Sequence, residues 1–521
     1  MQSETTVEVG GALESARACC QELDFPKANQ LLEEFVRSGT DSDEARLWLG
    51  ETSLVVGRWE RAQRELERLL ESSQGEHLVR AGLGLAELSS TRGEPEPARD
   101  ILARIIETAS ELEDRRWMLQ VLVRQAALAG MTGEMDSSRS LLERAEQMAE
   151  PFRGDSTWVE ALAALDTQWG LNHFRLSQRL QAEERLERAL AGLRGQGLKS
   201  LEEALILRYQ GVMASLRREY RRSLQLHLEA LHIYLKAGHR YGQAKAYDSI
   251  GRTLQGANHL DEAAFTFKKA ESLCRRLGAN AELATLYGKL GQVAMLRDDL
   301  DGAIRYFQKD LELSTRYRNY YALGYSYRNL GRCLLQVGRF DEAVLNLKES
   351  LGLFQYVEDW VNLGQVYMDL GFAHAKAGQS KDAAEVRARA GSLLQEHNLA
   401  HETPFLCCLD GILARGEGRF EEAERHFREG IDQLEGKASG RWLSETYYEL
   451  GLLYRQMKSE NRAIDAFKAA VRTARSAGLA RQVGRYLQEL EDLNEVELFR
   501  VWMEDLPVRG GPGMDSGERQ P

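Results

Sequence analysis

Two sets of residues in this 521-residue chain have types and spacings that could do chemistry. The first is the Gly-rich stretch GLRGQGLKS at residues 192–200. Backbone N–H groups in such a loop can cradle a phosphate when a Lys directly follows the last Gly and a strand leads in. Here Leu198 separates Gly197 from Lys199, and both flanks read as helix. The stretch is expected to be a turn between helices. The second set is two histidine pairs, His227 with His232 and His397 with His401. The second pair's four-residue spacing could bring two imidazoles to one helix face for a metal ion. No Cys or carboxylate joins either pair at a recognised ligand spacing, and Asn398 and Pro404 point to a turn around the second. Cys19, Cys20, Cys274, Cys333, Cys407 and Cys408 include no CxxC, and read as small buried residues in a reducing compartment. Nucleophile-elbow, zincin and kinase signatures are absent from the sequence. The expectation is a chain that is not an enzyme and needs no cofactor or metal.

Composition points the same way. Hydrophobic residues make up 43% and charged residues 28%, with only 8 Pro, which favours helix over strand. A formal net charge of −12 makes general binding to nucleic acid unexpected. The first residues, MQSETTVEVGG, lack the basic and apolar regions of a secretory signal, and no run of roughly 18 apolar residues occurs. A cytoplasmic protein without membrane insertion is expected.

What the sequence does contain is a ruler. Gly falls at 211, 251, 291, 331, 371, 411 and 451, a strict period of 40. Twelve residues after each comes a small residue: Ser223, Ala263, Ala303, Ala343, Ala383, Ala423 and Ala463. Four residues on, Phe267, Phe307, Leu347, Phe427 and Phe467 add bulk. Weaker copies upstream pair Gly170 with Ala182, Ala126 with Ser138, Ala86 with Ala98, Gly50 with Ala62 and Ala16 with Ala28. Gly inside a helix costs about 1 kcal/mol against Ala, so its recurrence in one register implies close packing of two helices. Helix pairs of this kind cannot bury both faces alone, so neighbours must stack.

The pattern resembles the tetratricopeptide repeat family. The match rests on Leu290–Gly291, Leu330–Gly331, Leu370–Gly371 and Leu450–Gly451, on the small and large residues above, and on a second small residue at Ala230, Ala270, Ala390 and Ala470. It runs over about residues 12–478. The period looks like the longer-helix subclass of Leu-Gly-Asn-repeat adaptors, kinesin light chains and bacterial signalling proteins. Arg387 and His227 depart from the family at the large apolar position, and Asp310 and Ser350 at the second small one. The resemblance implies an all-α, right-handed α-solenoid of about twelve helix–turn–helix units with a C-terminal capping helix. The expected organisation is a flexible N-terminus at 1–11, about four irregular repeats at 12–150, about eight regular repeats at 158–478, a cap at 479–506 and a disordered tail at 507–521. A Pro/Gly break at 150–158 reads as a bend in one solenoid.

In the resembled family the first helix of each unit lines a concave groove. With each Gly as reference, the inward positions lie six, three and two before it and one and four after it. They include Lys245, Asp248 and Arg252, then Lys289 and Gln292, then Tyr325, Arg328, Asn329 and Arg332. Farther along they become apolar: Phe372, Phe405, Leu409, Ile412, Tyr448 and Leu452. Such a groove implies a protein or peptide partner with an acidic segment and hydrophobic anchors. The family's chaperone-type carboxylate clamp is not matched. The expected function is a protein–protein interaction scaffold or adaptor. The alternative is a ligand- or peptide-responsive regulator of a partner's activity.

Overall fold

The computed structural model describes residues 2–38, 42–316, 319–397, 403–435 and 440–493. Every regular element among them is a helix, and successive helices joined by short turns give twelve pairs, from Gln2–Gln21 to Glu460–Ser476, followed by Ala480–Leu493. The chain is an all-α array of stacked helix pairs.

The turns explain why the pairs form. Within each regular repeat one turn residue adopts the left-handed conformation, at Arg218, Asn258, Asp298, Gly338, Gly378, Gly418 and Lys458, again every 40 residues. At one of these, Arg339 N–H bonds Leu334 C=O at 2.9 Å and Gly338 N–H bonds Leu335 C=O at 3.3 Å. That double bond pattern satisfies the last carbonyls of the first helix and reverses the chain in a few residues. First helices are often capped by side chains: Asn319 accepts from Ala322 N–H and Asp359 from Asn362 N–H, both at 3.1 Å.

The small residues of the sequence ruler are the closest helix approach. Ser223, Ala263, Ala303, Ala343, Ala383, Ala423 and Ala463 are all fully buried. A Cβ placed on Gly251, Gly411 or Gly451 would meet Phe267, Phe427 or Phe467 at 2.5–2.6 Å, sixteen residues on. The departures from the pattern have their own solutions. Arg387, where a large apolar residue is expected, turns away to hold Asp410 through two bonds of 2.6 Å. Leu409 fills the vacated space against Gly371. Ser350 donates to Gly324 C=O at 2.8 Å, and Asp310 accepts from Ser326.

Contacts divide the chain into two units: Met1–Val293 with Glu312–Arg318, and Ala294–Leu311 with Asn319–Pro521. This division falls inside the regular repeats. The Pro/Gly break at 150–158 instead forms two single-turn 3-10 helices within the first unit, where Phe152 stacks on Trp158 at 4.0 Å and both pack on its core. The stretch at 1–11, expected to be flexible, is helical from Gln2, in a helix whose Ala16 is buried among Ala28, Leu32 and Leu49. In the second unit Ala480–Leu493 buries Tyr486 and Leu490 against the last repeat. The remainder of the expected cap and the tail at 507–521 lie outside the described residues.

Candidate functional site

The first helices of adjacent repeats are tied together by side chains 37 or 41 residues apart, which is one period less three or plus one. In the first unit Lys245 pairs with Glu282 at 2.8 Å and Lys289 with Asp248 at 2.6 Å, while Arg252 lies 3.5 Å from Asp248. In the second unit Arg328 bonds Asp369 at 2.9 Å and Gln365 at 2.6 Å, and Asn362 donates to the Tyr325 hydroxyl at 2.8 Å. Asn329 is buried and Gln292 half-buried. Most of the cations expected to face an acidic partner are therefore already matched by carboxylates of their own or an adjacent repeat. Sequence reading missed Glu282 and Asp369 as partners. The signal was present as the 37- and 41-residue spacing of opposite charges.

Arg332 is different. Its Nε is buried without a hydrogen-bond partner, and its nearest carboxylate, Asp369, is 4.0 Å away. It lines a cavity of about 610 Å³ in the second unit. The helices of the Gly331, Gly371 and Gly451 repeats form its walls, and the capping helix completes it. The five cations on its wall are Arg332, Lys376, Arg441, Arg481 and Arg485, against the carboxylates Asp369 and Glu445. Its apolar lining is Leu335, Phe340, Phe372, Trp442 and Tyr448. Phe372 and Trp442 lie 4.8 Å apart and Arg485 covers the Tyr448 ring at 4.3 Å.

The cations fall into two groups. Lys376 lies 3.3 Å from Glu445 and also pairs with the fully buried Glu449, and Arg415 reaches Glu449 at 2.6 Å. Arg485 holds Glu445 at 2.5 Å. Burial alone would raise the Glu445 carboxyl. Lys376 and Arg485 outweigh that and hold it at about 2. Arg332 has only the 4.0 Å contact with Asp369, which Arg328 already holds, and Arg441 and Arg481 share the field of one half-buried carboxylate, Asp298. Burial, with repulsion from Arg441, pushes the Arg332 guanidinium down to about 10. Arg441 donates to Gln336 at 2.7 and 3.1 Å when that amide is turned to satisfy its neighbours.

The inward positions read from the sequence reach this cavity at Arg332, Phe372 and Tyr448. Ile412 and Leu409 are core residues, Leu452 packs partly buried against the same core, and the Phe405 side chain lies outside the described residues. Lys376 and Gln336 were missed because they lie five residues past the Gly. Trp442 and Arg441 were missed because they lie nine and ten before it, and Arg481, Gln482 and Arg485 because they belong to the cap.

The other candidates resolve simply. The Gly-rich stretch is a turn with Gly197 left-handed and Lys199 paired with Glu22. His227 is buried in the helix pair, and His401 lies outside the described residues. No group of three His, Cys, Asp or Glu among the described residues could hold a metal ion. No described helix is long and apolar enough to cross a membrane.

Residues 282–356 and 444–476 match family models described as tetratricopeptide repeat. Among curated protein sequences none matches. Similar solved structures include the apo form of RapI (12% identity, 52% of this chain and 98% of that chain, TM-score 0.47). The Cut9–Hcn1 hetero-tetramer of APC/C matches at 16% identity over 94% of this chain and 95% of that one, TM-score 0.40. A Rap protein complexed with competence and sporulation factor matches at 15% identity over 78% and 100%, TM-score 0.37. Repeats of the matched family are protein-interaction scaffolds and are typically non-enzymatic.

Proposed function

We propose that this chain, which carries tetratricopeptide repeats, is a non-enzymatic scaffold that holds an extended or helical segment of a partner protein on the first-helix face of its repeats. The partner carries an acidic segment with hydrophobic anchors. The observation that carries this reading is the contrast among the cations. Lys245, Lys289 and Arg328 are engaged by carboxylates of the chain itself. Arg332 reaches Asp369 only at 4.0 Å and Arg441 bonds the neutral Gln336, and both stand beside Phe372, Trp442 and Tyr448. Charge complementarity at such a place sets partner choice, and a desolvated aromatic anchor supplies affinity.

The test is affinity purification of the intact protein beside a variant with Arg332→Glu and Arg441→Glu. A partner recovered with the native chain is expected to fall by about tenfold or more with the variant, since two charge-assisted contacts become repulsive. Undiminished recovery with a variant of native helicity removes this site. The reading as a ligand-responsive regulator is favoured by one observation, that the cavity is completed by helices far apart in sequence. It predicts a ligand-dependent compaction of the protein in small-angle scattering.

A further inference from the structure

Three guanidinium groups face one cavity with too little negative charge to match them. Arg332 sits beside Arg441, whose side chain bonds the neutral Gln336 and lies over the Trp442 ring at 5.8 Å, and Arg481 lines the same cavity from the capping helix. Arg481 holds Asp298 through its backbone N–H, and that one carboxylate also lies in the field of both the Arg481 and Arg441 guanidinium groups. Charge taken from water is expected to be paired, because losing hydration is costly unless an opposite charge replaces it; Arg332 and Arg441 are partly buried here, while Arg481 is exposed. The other charges on this wall obey the rule: Lys376, Arg415 and Arg485 share Glu445 and Glu449. The exception is confined to one end of the cavity.

One further polar atom points the same way: the Arg332 Nε is buried with no hydrogen-bond partner. Gln482, nine-tenths buried on the capping helix, bonds Gln336 at 3.2 Å. The remaining surface is apolar and aromatic, with Phe372 almost fully buried and the Trp442 ring tilted against it at 4.8 Å. A volume of about 610 Å³ is that of a small-molecule site.

We propose that this cavity binds a compact organic anion, a carboxylate or phosphate joined to an aromatic or aliphatic body. The anion lies between Arg332 and Arg441, with Arg481 contributing from the capping helix, and the apolar body lies against Phe372 and Trp442. This goes beyond the partner-binding reading, because the ligand is a small acid and the site is complete within the second unit. The ligand would bridge the Gly331 helix to the capping helix, some 150 residues later in the sequence (Arg332 to Arg481). Binding would therefore stabilise the cap and the last repeats together.

The same anionic chemistry is carried by a free aromatic acid or by the end of a short peptide. The intact protein would be titrated by calorimetry with indole-3-acetate and with N-acetyl-Ala-Ala-Trp bearing a free carboxyl terminus, each beside its neutral amide. Saturable binding of either acid is expected, with the amide weaker by about tenfold or more, the scale of one charge-assisted contact. The tighter of the two acids identifies the source. Arg441→Gln is expected to weaken the acid about tenfold and leave the amide unchanged. As a readout that needs no variant, the acid should raise the thermal midpoint of the native protein and the amide should not. The proposal is overturned if neither acid binds, if the amides bind equally well, or if folded Arg441→Gln binds the acid as the native chain does. Recovery of a protein partner is read separately in the pull-down, so a chain that binds neither acid can still recover a partner, and one that binds an acid can still fail to.

Discussion

At the scale of single residues, the informative positions are those where a family pattern is broken. His227 stands where other repeats place Phe267, Phe427 or Phe467, and it is fully buried against Gly211 with neither ring nitrogen hydrogen-bonded. Burial, with Arg208 and Arg252 nearby, pushes its imidazole down to about 3 from 6.5. The folded state therefore keeps the ring neutral while the unfolded chain protonates it near 6.5. A group with a depressed folded value of this kind withdraws stability as pH falls from about 6.5 towards 3. Phe at this site should fit as Phe267 fits against Gly251. His227→Phe is expected to raise stability at pH 7 by about 1–3 kcal/mol, the usual cost of unsatisfied buried polar groups. It should also flatten the loss between pH 6.5 and pH 4. Urea melts at several pH values check both, and a variant less stable throughout would show that the imidazole makes contacts not replaced by a phenyl ring. Arg387 shows the other outcome of a broken pattern. The sequence marks it as anomalous, but only packing reveals that Asp410 takes its charge and Leu409 its place.

At the scale of the helix pair, glycines of identical sequence character have opposite roles. Gly451 faces the Phe467 ring at 2.5 Å, while Gly352, also within a helix, has nothing within 4 Å. Gly451→Ala is expected to destabilise by about 1–3 kcal/mol through overpacking. Gly352→Ala should stabilise by about 0.4–1 kcal/mol by restricting the unfolded chain. Chemical denaturation of the two variants distinguishes them, and equal effects would refute the packing account of the 40-residue ruler. That ruler was fully legible in the sequence, and it located both helices of each regular pair. The ladder between pairs was not read, although Lys245 to Glu282 and Asp248 to Lys289 keep the same 37- and 41-residue offsets as Arg328 to Gln365 and Asp369. Charges on a helix face look solvated until the neighbouring face is known.

At the scale of the whole molecule, an acidic chain has carried carboxylates inside. Glu449 is fully buried between Lys376 and Arg415, and Glu445 lies between Lys376 and Arg485. The Glu445 carboxyl is held at about 2, below its ordinary 4.5, so the stability it gives is complete above about pH 5 and is lost as pH falls towards 2. Hydrogen exchange should show the helices Gly440–Gln456 and Ala480–Leu493 losing protection across that window. Glu445→Gln should lower their protection at pH 7 by roughly 1–3 kcal/mol and remove the pH dependence there. Protection that is unchanged from pH 5 to pH 2 in the native protein would contradict this assignment.

The sequence by itself determined the repeat, its register and the all-helical architecture, because helix packing requires small residues at fixed intervals along one chain. It also identified Arg332, Phe372 and Tyr448 as inward-facing, since the period carries one repeat's geometry to the next. Only the tertiary structure decided which cations remain unmatched. Whether a guanidinium is neutralised depends on the few ångströms separating it from a carboxylate in another repeat. Arg441 approaches Arg332, and Arg481 joins the same cavity, through the stacking of helices and the seating of the cap, which no local spacing encodes.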